Sequence, residues 1–177
     1  MEQMETIKLA KQGDTNAIER ILLDNMQSMY RVAYGILRTE EEIADAVSNT
    51  IVIVFEKIQT LKNEEFFKTW LTRILINECY KICKQNKKII YLENCNQETL
   101  SYNDTYVDFE VRNLVKKLEK DLREVVILYY FEDFSVKEIS KIIKIPEGTV
   151  KSRLSRARKE LEKNLVKNDE ERRDING

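Results

Sequence analysis

The chain has 177 residues, enough for one domain or two small ones. Four Gly and one Pro, beside abundant Leu, Ile, Glu and Lys, predict an all-α protein. The formal net charge of -1 says nothing by itself about nucleic acid. With no His and only three Cys, a complete tetrahedral His/Cys zinc site within one chain is excluded.

The opening MEQMETIKLAKQGD is polar and is no signal peptide. The apolar run Ile51 to Phe55 is far too short to span a bilayer. A soluble cytoplasmic protein, not itself in the membrane, is expected. Cys79 and Cys83 stand one helical turn apart. Together with Cys95 they read as ordinary reduced cysteines, with no metal and no cofactor implied.

Thr6 to Gln12 predicts a short helix ended by Gly13. Asp14 then caps a long helix whose apolar positions Ile18, Leu22, Met29, Ala33 and Ile36 recur at helical spacing. Thr39 followed by Glu42 is a capping box for the next helix. That helix places Ile43, Ala46, Val47, Ile51, Val54 and Ile58 on one side. The β-branched run Ile51-Val52-Ile53-Val54 would suit a strand, but the cap and the surrounding period favour helix. Leu61 to Glu65 is a polar break. Phe66 to Gln85 predicts a third long helix, anchored by Trp70, Leu71 and Ile74. On it Arg73, Asn77, Lys81 and Lys84 share one polar face.

Residues 89–108 lose the periodicity and gain Asn, Thr, Ser, Asp and Glu, as a flexible acidic linker would. Val111, Leu114, Val115 and Leu118 resume the helical pattern, followed by Leu122 to Phe131. Ser135 with Glu138 is another capping box, and Val136, Ile139, Ile142 and Ile143 give the helix it opens an apolar face. Ile145-Pro146 interrupts it, and a second helix starts near Glu147. At about 100° per residue, Val150, Leu154, Ala157 and Leu161 fall on one side. Ser152, Ser155, Arg156 and Lys159 fall on the other, with Lys151 on the shoulder. This is the layout of a helix-turn-helix whose second helix enters the major groove. A solvated surface helix is the plainer reading, but cap, turn and charge agree on the other. Residues 168–177 form a charged tail, expected to fray.

Charge is distributed unevenly. Residues 1–65 carry seven Lys and Arg against twelve Asp and Glu, whereas residues 134–167 carry ten basic and four acidic side chains. Lys68, Arg73, Lys81, Lys84, Lys87 and Lys88 face only Glu78 within residues 68–88. Two basic patches separated by an acidic stretch suit a protein that touches DNA at two places and something else with its acidic end. No catalytic constellation is present: there is no glycine-rich phosphate loop and no nucleophile elbow. Acidic pairs such as Glu41-Glu42 sit at helix starts, where carboxylates suit the helix dipole. The chain does not read as an enzyme, and no small-molecule substrate is implied.

The blocks FKTWLTRILIN, REVVILYYFEDFSVKEIS and IPEGTVKSRLSRARKEL, in this order, resemble the extracytoplasmic-function (ECF) sigma factors of bacterial RNA polymerase. The resemblance covers roughly Ile7 to Leu165. It implies two small helical bundle domains: residues 1–88 as sigma region 2, and residues 109–167 as sigma region 4 with the helix-turn-helix. It implies a factor that directs core RNA polymerase to promoter DNA, in a stress or envelope response. By matching positions, Lys151, Ser152, Ser155 and Arg156 would approach base edges of the −35 element, and Arg153 would hold phosphate. Arg73, Asn77, Lys81 and Lys84 would track the melted −10 strand, with a flipped base beside Leu61 to Glu65. Asp45, Ser48, Asn49, Val52 and Phe55 would bind core polymerase. Many relatives carry Gln-Glu where this chain has Ser48-Asn49, and a proline where it has Glu119. The linker would lie in the RNA exit channel. An anti-sigma factor, often membrane-anchored in this family, would be a further partner.

Two other readings use the same helix-turn-helix. A stand-alone transcriptional regulator would carry it beside an amino-terminal sensing or dimerisation domain, which has no need of the basic patch at 68–88. A purely protein-binding helical adaptor would leave both basic helices unexplained.

Overall fold

The computed structural model describes residues 2–89 and 113–175, with side chains at 3–85 and 113–165. The described residues form helices and turns only. The expected linker from residue 90 onward, Cys95, Val111 and the side chains of Lys87 and Lys88 lie outside them. The chain divides into two compact units, residues 1–99 and 100–177.

The first unit is a bundle of four helices: α1 (Glu2–Lys11), α2 (Thr15–Ile36), α3 (Glu40–Lys57) and α4 (Phe67–Ile89). α1 begins four residues earlier than the sequence pattern suggests. It closes where Gly13 takes φ 95, a left-handed conformation that needs no Cβ. Asp14 then caps α2, its carboxylate accepting from the Ala17 N–H at 3.1 Å. The predicted stripe Ile18, Leu22, Met29, Ala33 and Ile36 is buried throughout. The Thr39–Glu42 capping box is complete: Thr39 Oγ1 accepts from the Glu42 N–H at 3.2 Å, and the Glu42 carboxylate accepts from the Thr39 N–H at 3.2 Å.

The β-branched run of α3 is helical, and its burial shows why. Val54 is buried and Val52 exposed, with Ile51 and Ile53 between, a pattern of period 3.6 rather than 2. Polar groups inside the bundle are satisfied locally: Thr50 Oγ1 donates to the Ala46 carbonyl and Asn25 Nδ2 to that of Ile21, each at 2.7 Å. Two single 3₁₀ turns, Ile58–Thr60 and Glu64–Phe66, lie between α3 and α4 on either side of Leu61 to Asn63. α4 is anchored by Phe67, Leu71, Leu75, Ile76 and Cys79. Trp70 and Ile74, expected as anchors, are only half-buried; the Trp70 ring lies 6.1 Å from that of Phe67.

The second unit holds a helical segment at residues 113–116, then α5 (Lys120–Val126), α6 (Val136–Ile143) and α7 (Glu147–Ile175). α5 runs into a π-helical turn, Ile127–Phe131, in which the Glu132 N–H reaches the Ile127 carbonyl at 3.1 Å. The wider turn buries Ile127 and Leu128 and leaves Tyr129 and Tyr130 both exposed, as an edge-to-face pair at 4.9 Å. α7 extends to Ile175, so most of the tail expected to fray is helical. Its Glu, Lys and Arg are strong helix formers, and neither Gly nor Pro follows Gly148 until residue 177.

Candidate nucleic-acid interface

The helix-turn-helix is built from local interactions. Ser135 accepts from the Glu138 N–H at 3.3 Å, and the Glu138 carboxylate accepts from the Ser135 N–H at 2.9 Å, so α6 starts where the sequence placed it. At its end Lys144 takes a left-handed conformation, φ 57 and ψ 46. Ser140 closes the turn from both sides: its carbonyl accepts from the Ile145 N–H at 3.2 Å, and its Oγ donates to the Ile145 carbonyl at 2.6 Å. The Pro146 carbonyl then accepts from the N–H groups of Thr149 and Val150, so this proline opens α7 rather than disturbing it.

α7 has two faces. Val150, Leu154 and Ala157 are buried. Lys151, Ser152, Ser155, Arg156 and Lys159 are all exposed, within an arc of about 140°. Arg153 stands apart from them. It lies on the shoulder of the buried stripe, its side chain 18% exposed, with Nη2 on the Asp121 carboxylate of α5. Its guanidinium therefore fastens α7 to α5. Ser152 Oγ donates to the Thr149 carbonyl at 2.9 Å, leaving the oxygen lone pairs outward.

In the first unit, Arg73, Asn77, Lys81 and Lys84 are exposed on α4 and lie within about 80° of one another. The one acid of this stretch is turned inward: Glu78 is buried and its Oε1 meets Lys81 Nζ at 2.6 Å. Lys81 is thus partly neutralised by its own helix. Two aromatic side chains that sequence reasoning passed over are exposed: Phe66 in the 3₁₀ turn ahead of α4, and Tyr80 on α4, seven residues after Arg73. Counting seven residues on from Arg73 would have found Tyr80.

The turn ahead of α4 is fastened to α1. Lys11 Nζ lies 2.6 Å from Glu64 Oε1, and Asn63 Oδ1 accepts from the Glu65 N–H at 3.0 Å. The hydrogen bond from Lys11 holds the Glu64 carboxyl below the usual glutamate range. Leu61 is buried, so only part of the Leu61 to Glu65 break is free to meet a ligand.

α3 presents Asp45, Ser48, Asn49, Val52 and Phe55 on one face, within about 120°. Val52 is 56% and Phe55 41% exposed, an apolar ridge left uncovered by the unit's own core. Cys79 is wholly buried and acts as a small core side chain, while Cys83 is half-buried with Sγ 4.0 Å from the Ile36 carbonyl. No helix among the described residues is long and apolar enough to cross a membrane.

Residues 22–89 match the Sigma-70 region 2 family, and residues 108–161 match Sigma-70, region 4. The chain is 30% identical over 176 residues to the ECF RNA polymerase sigma factor SigW of Bacillus subtilis, covering 90% of this chain and 94% of that one. The chain belongs to the ECF RNA polymerase sigma factor family. RNA polymerase sigma factor SigV of the same organism is 29% identical over 161 residues, covering 90% of this chain and 97% of its own. A solved structure of the sigma factor RpoE, in complex with the anti-sigma factor NepR from Bartonella quintana, has the same fold. Its TM-score is 0.70 at 24% identity, over 84% of this chain and 96% of that one. As an ECF sigma factor, the protein acts in transcription initiation by RNA polymerase and carries a DNA-binding region 4. A stand-alone regulator is not favoured, because region 2 precedes region 4 in one chain matched nearly end to end.

Proposed function

We propose that Lys151, Ser152, Ser155 and Arg156 read the −35 element in the major groove, with Lys159 and Arg153 on phosphate. The observation that carries this reading is the outward arc of α7, opposite a buried apolar stripe. Arg156 can grip a guanine edge with two hydrogen bonds, and Ser hydroxyls both donate and accept. Arg153 still has N–H donors beyond the Asp121 contact, so it can bridge that carboxylate and a phosphate.

Residues 1–88 form the unit that holds the melted −10 strand and core polymerase. Arg73, Asn77, Lys81 and Lys84 track the strand. Asp45, Ser48, Asn49, Val52 and Phe55 meet the polymerase, with Val52 and Phe55 supplying most of the buried apolar area. Replacing a Gln-Glu pair by Ser48-Asn49 shifts that contact from charge to apolar packing. The protein works in the cytoplasm. An anti-sigma factor is its natural antagonist: a sigma factor of similar fold has been captured with one. A membrane-anchored antagonist would co-purify with the membrane fraction, and a soluble one would not.

The test is run-off transcription with purified bacterial core polymerase on a randomised promoter library. Transcripts that appear only with the protein, from templates sharing a −35 and a −10 element, are the expected result. No transcript, together with tight duplex binding by the protein alone, would overturn the reading.

A further inference from the structure

We propose that Lys11 is a positioning residue for −10 reading: its ion pair with Glu64 sets the place of the turn between α3 and α4, so that the turn can select a base. This rests on the reading above, in which the first unit holds the melted −10 strand with a flipped base beside Leu61 to Glu65, and it gives α1 a role. The region 2 match begins at residue 22, after α1 has ended. α1 is nonetheless seated on the bundle, with Ile7 and Ala10 buried. Its end is closed by hydrogen bonds: the Gly13 N–H donates to the Ala10 carbonyl at 3.0 Å, and the Asp14 N–H to that of Leu9 at 3.2 Å. Lys11 therefore leaves the bundle from a fixed point.

The span that Lys11 meets is anchored in the core at its two ends. Leu61 and Phe67 are buried, and residues 62–66 between them are half-buried or exposed. Asn63 ties the span to itself: its Oδ1 accepts from the Glu65 N–H at 3.0 Å, and its carbonyl accepts from the Phe66 N–H at 3.2 Å. Those bonds fix the shape of the turn but not its place. Glu64 ties it to α1, with Oε1 2.6 Å from Lys11 Nζ across 53 residues of sequence. The corner between α1 and α2 also stands near the preceding turn, since a Cβ on Gly13 would lie 4.0 Å from Gln59 Nε2. Groups that select a ligand must be held within about 0.5 Å of their working geometry. A tie to a packed helix supplies that hold. It also offsets the Glu64 charge beside an anionic strand.

The experiment binds the full chain with core polymerase to a randomised single-stranded DNA pool and sequences the bound fraction, with core polymerase alone as background. Lys11→Met should flatten the strongest base preference about two- to fivefold, the range of a partly exposed ion pair, and leave affinity for core polymerase unchanged. Lys11→Arg should retain the preference, and the exchanged pair, Lys11→Glu with Glu64→Lys, should restore it. Lys11→Met with Glu64→Gln should not, because removing both charges leaves the turn untied. The salt dependence of strand binding should be the same in Lys11→Met as in the parent chain. A salt slope lowered by about 0.7 would make Lys11 a phosphate contact and overturn positioning. Restoration by the neutral double variant would reduce the pair to charge cancellation and overturn it as well. Arg73→Ala should weaken binding to every strand. If it does, and Lys11→Met keeps the full base preference, the positioning role falls and the strand reading stands. If the parent chain selects no base and Arg73→Ala changes nothing, both fall.

Discussion

Lys11 Nζ lies 2.6 Å from Glu64 Oε1, tying the first helix to the turn from which α4 departs. The hydrogen bond from Lys11 lowers the Glu64 pKa in the folded state. A depressed carboxyl pKa contributes stability above the unfolded-state pKa and loses it as pH falls through the folded-state value. Glu64→Gln should therefore unfold at lower urea than the parent chain at neutral pH, and the difference should vanish on acidification below the glutamate range. The pair is partly exposed, so added salt should shrink the neutral-pH difference. Urea titrations at two pH values and two salt concentrations measure both effects.

α6 has only eight residues, too few for a helix to persist on propensity alone. The Ser135–Glu138 capping box supplies part of what holds it. Ser135→Ala should cost about 1 kcal/mol of stability in the second unit, whereas Ser135→Asp should cost less. Ser140→Ala removes the hydroxyl that ties the turn to the Ile145 carbonyl, at a cost of about 0.5–1.5 kcal/mol. Chemical denaturation followed by circular dichroism tests both. An unchanged midpoint for Ser135→Ala would show that packing alone sets where α6 begins.

Phe55 is the larger of the two exposed apolar side chains of the α3 ridge, and buried aromatic anchors carry much of the energy of an interface. Phe55→Ala should weaken binding to core polymerase by at least about 1 kcal/mol, roughly fivefold or more, without changing the stability of the free chain. Competition against a labelled sigma factor for core polymerase measures it. Restoring a carboxylate by Asn49→Glu should strengthen binding if the partner surface is basic there.

Arg156 and Lys159 neighbour each other on α7 but differ in expected role. Arg156→Ala should cost about 1–3 kcal/mol and relax the preference at one base pair. Lys159→Ala should weaken all sequences alike and lower the salt slope of binding by about one. Affinity across a set of −35 variants at several salt concentrations separates the two. Equal effects of both variants on every sequence would remove Arg156 from base reading.

What the sequence made legible was local. The caps at Asp14, Thr39 and Ser135 are interactions over three residues, so residue type and spacing specify them completely. The buried stripe of α2 followed from period alone, as did Val150, Leu154 and Ala157 of α7, whereas Leu161, expected in the same stripe, is only half-buried. The fastenings were not legible: Lys11 to Glu64 spans 53 residues and Arg153 to Asp121 spans 32, and nothing in either neighbourhood names the partner. The π-helical turn was equally hidden, because VVILYYF is apolar throughout and offers no phase from which to read a slip. Trp70 misled for a different reason. Size suggested a core anchor, but the smaller Leu75, Ile76 and Cys79 lie on the inward side of α4.

The pairing of Arg153 with Asp121 separates two roles for one arginine. If Arg153 only fastens α7 to α5, Arg153→Met and Asp121→Asn should be equivalent. Each would lower stability by less than about 1 kcal/mol, as exposed ion pairs do, and the double variant would be no worse than either. If Arg153 also reaches a phosphate, the two variants diverge on DNA. Arg153→Met removes a cation from the interface and should lower both affinity and salt slope. Asp121→Asn removes an acid beside the DNA and releases the guanidinium, so duplex affinity should rise at low salt. We expect this divergence, because the Asp121 contact leaves other guanidinium N–H donors available. A double-mutant cycle read in both unfolding and −35 duplex binding decides it. Equal affinities for the two single variants would confine Arg153 to holding the recognition helix in place.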